Sequence, residues 1–342
     1  MTHYAGLDIG LEQTAVCIVD ERGGIVREAK VATEPEVLVR FLEDAGLPLT
    51  RVGLEACPLS QWLFDGLTAA GLPAVCIETR HLKAALSAMT HKTDRNDARG
   101  IAQVVRTGWF RAVHVKSTLS QEQRALLAGR RPLVGRRLAL EAELRGSLKT
   151  FGLKVGKVGS REFADRVRTL VESRPALRAV VEPLLKLREA VVAQIDALHR
   201  MVLAQARADL ACRRWMGIPG VGPVTALAFR SAVDVPGRFA KSRSVGAHFG
   251  LVPRKHQSGQ VDRSGRTTEC GDGLTRAMLY EAANVLLTRG RHCALKAWAL
   301  RLSRRRGFKR AKTALARKLA LVMHRMWIDG TEFRWGAEAA AG

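Results

Sequence analysis

The sequence predicts a mixed-sheet α/β domain followed by a mainly helical remainder. Three observations carry this. Short apolar runs separated by turns fill residues 4–31, helix and strand patterns then alternate to residue 107, and from residue 120 long charged stretches repeat with the period of a helix.

Residues 4–10 and 14–19 run apolar, with Leu11-Glu12-Gln13 as a short link between them. Asp20-Glu21-Arg22-Gly23-Gly24 is turn chemistry, and Ile25 to Val31 follows as a third run, so this stretch reads as a three-strand meander. Glu36 to Ala45 reads as a helix closed by Gly46, Val52 to Glu55 as a strand, Ser60 to Ala70 as a helix closed by Gly71, and Ala74 to Ile77 as a strand. Thr93 supplies an N-cap oxygen for a helix from Asp94 to Thr107. A meander joined to alternating helix and strand gives a mixed sheet.

Residues 120–150 and 162–212 are long, charged and helical in period, with Gly152, Gly156 and Gly159 between them. Leu184, Leu187, Val191, Ile195 and Leu198 step by three or four and form an apolar stripe. Helices this long need a partner surface, and both an ordinary helical domain and a dimerisation hairpin supply one. Near Arg213 a further module begins. The expected boundaries are therefore 1–115, 116–212 and 213–342.

Charge narrows the function. The 342 residues carry a net charge of +24, which predicts a polyanionic partner, most simply nucleic acid. The excess is one-sided: residues 1–100 sum to −4 and residues 101–342 to +28. Aromatics are only 5%, so backbone phosphate contact is favoured over base stacking as the main binding mode. Cys17, Cys57, Cys76, Cys212, Cys270 and Cys293 are scattered without a Cys-x-x-Cys pair, which points to small buried residues in a reducing cytoplasm rather than a zinc site or disulfide framework. No apolar run approaches the ~20 residues that span a bilayer, and no signal peptide opens the chain.

Four acids stand out. Asp8 and Glu55 each end an apolar strand pattern, and Asp94 and Asp97 lie three apart at a helix start, on one helix face. Two strand ends and one helix face can converge on one or two hard cations such as Mg²⁺ or Mn²⁺, which take oxygen ligands and sit beside phosphates. In the basic half, Gly217-Ile218-Pro219-Gly220-Val221-Gly222-Pro223 looks like the hairpin of a helix-hairpin-helix motif. There Gly220 and Gly222 would let the backbone approach a phosphate at the next helix N-terminus, although a tight turn between packed helices has the same composition. Residues 301–325 carry ten Lys or Arg and no acid, including Arg304, Arg305, Arg306, Lys309 and Arg310, as suits a phosphate-tracking surface. Between these, Ser258 precedes Gly259 and is surrounded in sequence by Arg254, Lys255, Arg263 and Arg266, cations that can hold a scissile phosphate beside a hydroxyl. Ser264-Gly265 repeats the pair and offers a second hydroxyl.

Gly6-Leu7-Asp8, Leu54-Glu55, Lys92-Thr93-Asp94-Arg95-Asn96-Asp97-Ala98, Gly217 to Gly222, Phe249-Gly250-Leu251-Val252-Pro253, Gln257-Ser258-Gly259, Gly271-Asp272-Gly273, Tyr280-Glu281-Ala282-Ala283 and Arg317-Lys318-Leu319 occur in this order. Together they resemble the DEDD-type insertion-sequence transposases, which are bridge-RNA-guided recombinases, over nearly the whole chain. The resemblance implies a RuvC-like, RNase H-like N-terminal domain, a helical coiled-coil segment and a mainly α C-terminal transposase domain. It implies Asp8, Glu55, Asp94 and Asp97 as ligands of Mg²⁺ or Mn²⁺ and Ser258 as nucleophile, with donor and target DNA, a structured noncoding guide RNA and a homo-oligomer (dimer or tetramer) as partners. It further implies a bacterial, cytoplasmic protein acting at the nucleoid. Carboxylates and serine would form a composite site through folding or oligomerisation. Three other classes fit part of the pattern. A hydrolytic junction resolvase would use the acids alone, and a non-catalytic nucleic-acid scaffold would use only the basic half. An actin-like ATPase would use Gly6 to Thr14 as a phosphate hairpin, but the later Gly-rich motifs that fold needs are missing from the sequence.

Overall fold

The computed structural model describes residues 2–87, 91–259 and 261–336, and the chain divides into two compact units, Met1–Lys116 and Ser117–Gly342.

The first unit is built on strands β1 (His3–Ile9), β2 (Gln13–Asp20) and β3 (Ile25–Ala32), helix α1 (Pro35–Glu43), strand β4 (Leu49–Glu55), helix α2 (Ser60–Ala69), strand β5 (Ala74–Ile77), and helices α3 (Thr79–Leu86) and α4 (Asp94–Thr107). The sheet order is β3-β2-β1-β4-β5. The meander pairs antiparallel, and β4 and β5 join it in parallel through the helical crossovers. This mixed order meets the RNase H-like expectation. Alternation along the strands sorts side chains to two faces. Ala5, Leu7, Val52 and Leu54 pack with Leu38, Leu42, Leu63 and Leu67 of α1 and α2. On the other face Ala15, Cys17 and Val19 pack with Ala98 and Ala102 of α4. α4 spans the residues expected of it because Thr93 accepts a hydrogen bond from the Asn96 backbone N–H and Gly108 closes the helix in the left-handed conformation.

The second unit contains α5 (Thr118–Lys149), α6 (Phe163–Leu170), α7 (Pro175–Ala208), α8 (Leu210–Met216), α9 (Pro223–Val233), α10 (Arg243–His248), strands β6 (Pro253–Ser258) and β7 (Val261–Thr267), α11 (Gly273–Thr288), α12 (Ala294–Arg306) and α13 (Phe308–Asp329). α5 and α7 run antiparallel: Leu144 and Leu148 meet Val181 and Leu185 at one end, and Leu127 meets Val202 and α9 at the other. The expected α7 stripe is displaced. Leu187 is exposed, and the buried row is Val181, Leu185, Arg188 and Ile195. An apolar count skips Arg188, yet that residue is 3% exposed because it is paired with Glu141 at 2.7 Å and donates to the Ser160 carbonyl. The remaining helices close on a core around Trp215, Phe229, Phe249 and Leu319, with the Trp215 indole donating to the Met323 carbonyl at 2.8 Å. Asp234 pins the start of α5 by accepting from the Ser117 backbone and from the Ser117 and Ser120 hydroxyls. Cys17, Cys76, Cys212 and Cys293 are buried, as their scattering suggested, while Cys57 and Cys270 are partly exposed. Among the described residues no helix is long and apolar enough to cross a membrane.

Candidate functional site

The acidic site begins with two glycines. Gly6 of β1 and Gly53 of β4 are direct partners in the parallel ladder. A Cβ on Gly6 would lie 2.2 Å from the Ala98 carbonyl oxygen and 2.3 Å from the Ala102 nitrogen, and one on Gly53 would lie 2.4 Å from a Val105 methyl. α4 therefore rests directly on the sheet where both side chains are missing. Two residues further along each strand, on the same face, stand Asp8 and Glu55, on strands about 4.8 Å apart. α4 runs back from Ala98 to Asp97 and Asp94, so its first turn carries those acids toward the same sheet face. The twin tripeptides Gly6-Leu7-Asp8 and Gly53-Leu54-Glu55 were a readable signal of this seat, because residues i and i+2 share a face of a strand.

The electrostatics record the convergence. Burial, and then the carboxylates of Asp97, Asp94 and Glu55, push the Asp8 carboxyl up to about 6, with Lys92 pulling against them. Asp94 is exposed and bound to Lys30 of β3 at 2.6 Å, which holds its carboxyl below the usual range. Beside this, Glu28 takes Arg95 and Arg99 of α4 and is drawn down to about 2, chiefly by the Arg99 hydrogen bond. The four acids face one region without closing into a cage. Among the described residues no three Asp, Glu, His or Cys side chains meet at metal-holding distance. The donor set nevertheless fits a hard divalent cation: all oxygen, partly desolvated and mutually repelling, with Asp94 leaving Lys30 to join.

In the second unit Ser258 is the last residue of β6, exposed, with Gly259 turning at φ +54. The mainly α expectation for this region omitted the hairpin, whose β6 residues are all exposed, so no apolar alternation announces it. Ser258 pairs with Val261 and shares a strand face with His256, which pairs with Arg263. Among the described residues Ser258 has no hydrogen bond to a base. The side chain of Ser264 lies outside the described residues, and its backbone pairs with Lys255. Lys255 is tied to Asp262 at 3.3 Å, while Arg254 and Arg263 are exposed along the hairpin.

The glycine turn separates α8 from α9 as expected, and Gly220 packs closely on a neighbouring helix. At φ +91, a Cβ there would lie 2.5 Å from the Ala282 carbonyl oxygen, so its open side is filled by the α11 backbone. Gly222, at the N-cap of α9, has open space instead.

Cations far apart in sequence meet in a cavity of about 920 Å³. Arg266, Arg306, Lys309 and Arg310 line it, and so do Arg317 of the Arg317-Lys318-Leu319 motif and Arg243, which no sequence pattern marked. Arg304 and Arg305 are exposed on the last turn of α12, outside that lining.

Comparison with known proteins adds the following. Residues 5–152 match the DEDD transposase family of IS110, described as Transposase, and residues 212–299 match the Transposase IS116/IS110/IS902 family. The chain is 31% identical over 346 residues to the transposase for insertion sequence element IS1111A of Coxiella burnetii, covering 97% of this chain and 91% of that protein. It is 30% identical over 300 residues to a probable family 20 transposase of Pseudomonas aeruginosa, covering 85% and 87%. Among solved structures, RuvC of T. thermophilus in complex with a Holliday junction substrate matches 33% of this chain and 100% of that one, at 14% identity and a TM-score of 0.26.

Proposed function

The chain belongs to the IS110 type of insertion-sequence transposases, and from that premise we propose that it cuts and rejoins DNA through a phosphoserine intermediate. Asp8, Glu55, Asp94 and Asp97 would hold Mg²⁺ or Mn²⁺, which when bound supplies polarisation of the scissile phosphate. The Ser258 Oγ attacks phosphorus, losing its proton to solvent or a nearby base. The phosphorus–O3′ bond breaks, leaving a 5′-phosphoserine ester and a free 3′-hydroxyl. A second 3′-hydroxyl then attacks that ester, the serine oxygen leaves and regains a proton, and a phosphodiester replaces the one that was cut. Arg254, Arg263 and Arg266 offset charge on the phosphate. A structured guide RNA would choose the sequences by base pairing, and an oligomer would supply the acids and serines needed for several strands. Residues 116–212 are read as the helical segment of that assembly, and residues 213–342 as the part that carries the serine.

The observation that carries this reading is the convergence on Asp8 of three acids from two other segments. Carboxylates gathered against a partly buried acid cost stability, and such arrangements cluster at functional sites. A hydrolytic nuclease is the second reading, favoured because the acids that converge on Asp8 suffice for it without a serine. Denaturing electrophoresis of the protein after incubation with its element-end DNA, guide RNA and Mn²⁺ separates them. Transposition through serine predicts a covalent protein–DNA band that is lost in Ser258→Ala and Asp8→Ala. Cleavage that persists in Ser258→Ala with no such band refutes it.

A further inference from the structure

The cavity in the second unit has no assigned role, and its construction is specific. Seven of its fifteen lining residues are Lys or Arg and none is acidic. Its volume equals that of a sphere about 12 Å across, comparable to the Debye length of about 10 Å at 0.1 M salt, so neighbouring charges on its wall repel. Elsewhere in the same unit arginines find carboxylates: Arg168 with Glu182, Arg188 with Glu141, Arg230 with Asp209. Here, among the described residues, Arg243, Arg266, Arg306, Arg310 and Arg317 form no ion pair.

One of these arginines has its stem placed by the backbone, although all five are exposed. A Cβ on Gly246 would lie 2.7 Å from the Arg317 Cγ, so the Arg317 stem lies against α10 at the point where a side chain is missing. Arg243 sits three residues earlier on α10, on the same face as Gly246. Pro253 and Arg266, at the root of the β6–β7 hairpin, form another wall, and the half-buried Trp298 of α12 adds one flat apolar surface. Five exposed arginines that form no ion pair among the described residues, around a groove with one aromatic wall, match a phosphodiester chain with a base beside it.

We propose that this cavity is a phosphodiester clamp that seats one nucleic-acid strand at the root of the hairpin carrying Ser258. The clamp rests on the proposed action on nucleic acid and adds to it a defined seat, with Arg243 of α10 and Arg317 of α13 as its contacts. DNA and RNA share the chemistry, and the experiment tells them apart.

Fluorescence anisotropy of the full-length protein with a labelled 20-nucleotide DNA strand, and separately with the RNA of the same sequence, would be read from 50 to 400 mM NaCl. Each single-strand phosphate contact contributes about 0.7 to the slope of log affinity against log salt. The Arg243→Ala/Arg317→Ala pair should lower the slope by about 1.4 and weaken binding roughly 25-fold at 0.1 M salt. The polymer that loses this slope is the one seated. Arg243→Lys/Arg317→Lys should keep the slope. If the alanine pair does not fold, Lys309→Ala/Arg310→Ala, at exposed positions of α13, should show the same loss. Unchanged slopes on both polymers, or equal slopes for the lysine and alanine pairs, overturn the clamp. A wild-type protein that keeps its covalent adduct while the slopes stay unchanged would refute the clamp alone, and a missing adduct with the slope loss intact would refute the serine chemistry alone.

Discussion

Replacing Gly6 with alanine tests whether α4 is seated on β1 as described. The new Cβ would meet backbone, the Ala98 oxygen at 2.2 Å and the Ala102 nitrogen at 2.3 Å, whereas ordinary contact begins near 3.4 Å. Neither atom can rotate away, so α4 must withdraw by about 1.2 Å, the difference between the two distances. Overpacking of this kind costs about 1–3 kcal/mol. Withdrawal also lifts Asp94 and Asp97 from Asp8 and Glu55, and a misplacement near 1 Å at a reacting centre can lower the rate about 100-fold. Gly53→Ala should be milder, because its clash is with methyl groups of Val105 and Ile101 that can shift. Gly135→Ala, in the middle of α5 with open space around it, should stabilise by about 0.5–1 kcal/mol and serves as the control. Urea denaturation gives the stabilities. Covalent adduct formation, measured at a temperature where every variant is folded, gives the activity. The reasoning fails if Gly6→Ala matches wild type in both, or if Gly53→Ala is the more damaging of the two.

Two further outcomes follow from the charges around that seat. Asp8→Asn removes a partly buried charge and with it the repulsion from three carboxylates, so without divalent cation its melting temperature should rise, by a stability gain of about 1 kcal/mol. Added Mn²⁺ should raise the wild-type melting temperature and leave the Asn variant nearly unmoved; equal Mn²⁺ responses would count against metal ligation by Asp8. Glu28 is held at about 2 by Arg99 and Arg95, below its ordinary 4.5. Its contribution is thus complete above pH 4.5 and disappears as pH falls toward 2. Allowing for screening at Arg95, which is 66% exposed, Glu28→Gln should cost about 1–2 kcal/mol at pH 7 and flatten the acid limb of urea stability between pH 5 and 2. An acid limb as steep as that of wild type would reject this ion pair.

The first unit was legible because its signals are local. Strand alternation, the Asp20–Gly24 turn and the Thr93 cap each act within a few residues, and the sheet and α4 appeared where they pointed. The four acids were visible from their places at element ends. What each glycine faces was hidden, because Gly6, Gly220 and Gly246 gain their meaning from backbone or side chains that lie 62 to 96 residues away in sequence. The α7 stripe slipped for a related reason: Arg188 is buried by a partner, Glu141, on another helix. The hairpin was missed because its β6 residues are exposed on both faces, which removes the alternation that marks a half-buried strand.

The two units use one device on charges of opposite sign. In each, a glycine opens a seat, an element settles into it, and like charges are held together where an isolated domain would keep them apart. Confinement of like charge is unfavourable in the free protein, and it joins burial, the larger cause, in pushing the carboxyl of Asp8 up to about 6. Packing at the glycine seats must supply the free energy that holds the charges. Binding then gains twice, because a cation among the acids or a phosphate among the arginines brings its own attraction and removes the repulsion already present. The coupling also runs in reverse by linkage, so divalent cation should stabilise the first unit and polyanion the second, each by its own ligand-dependent increment.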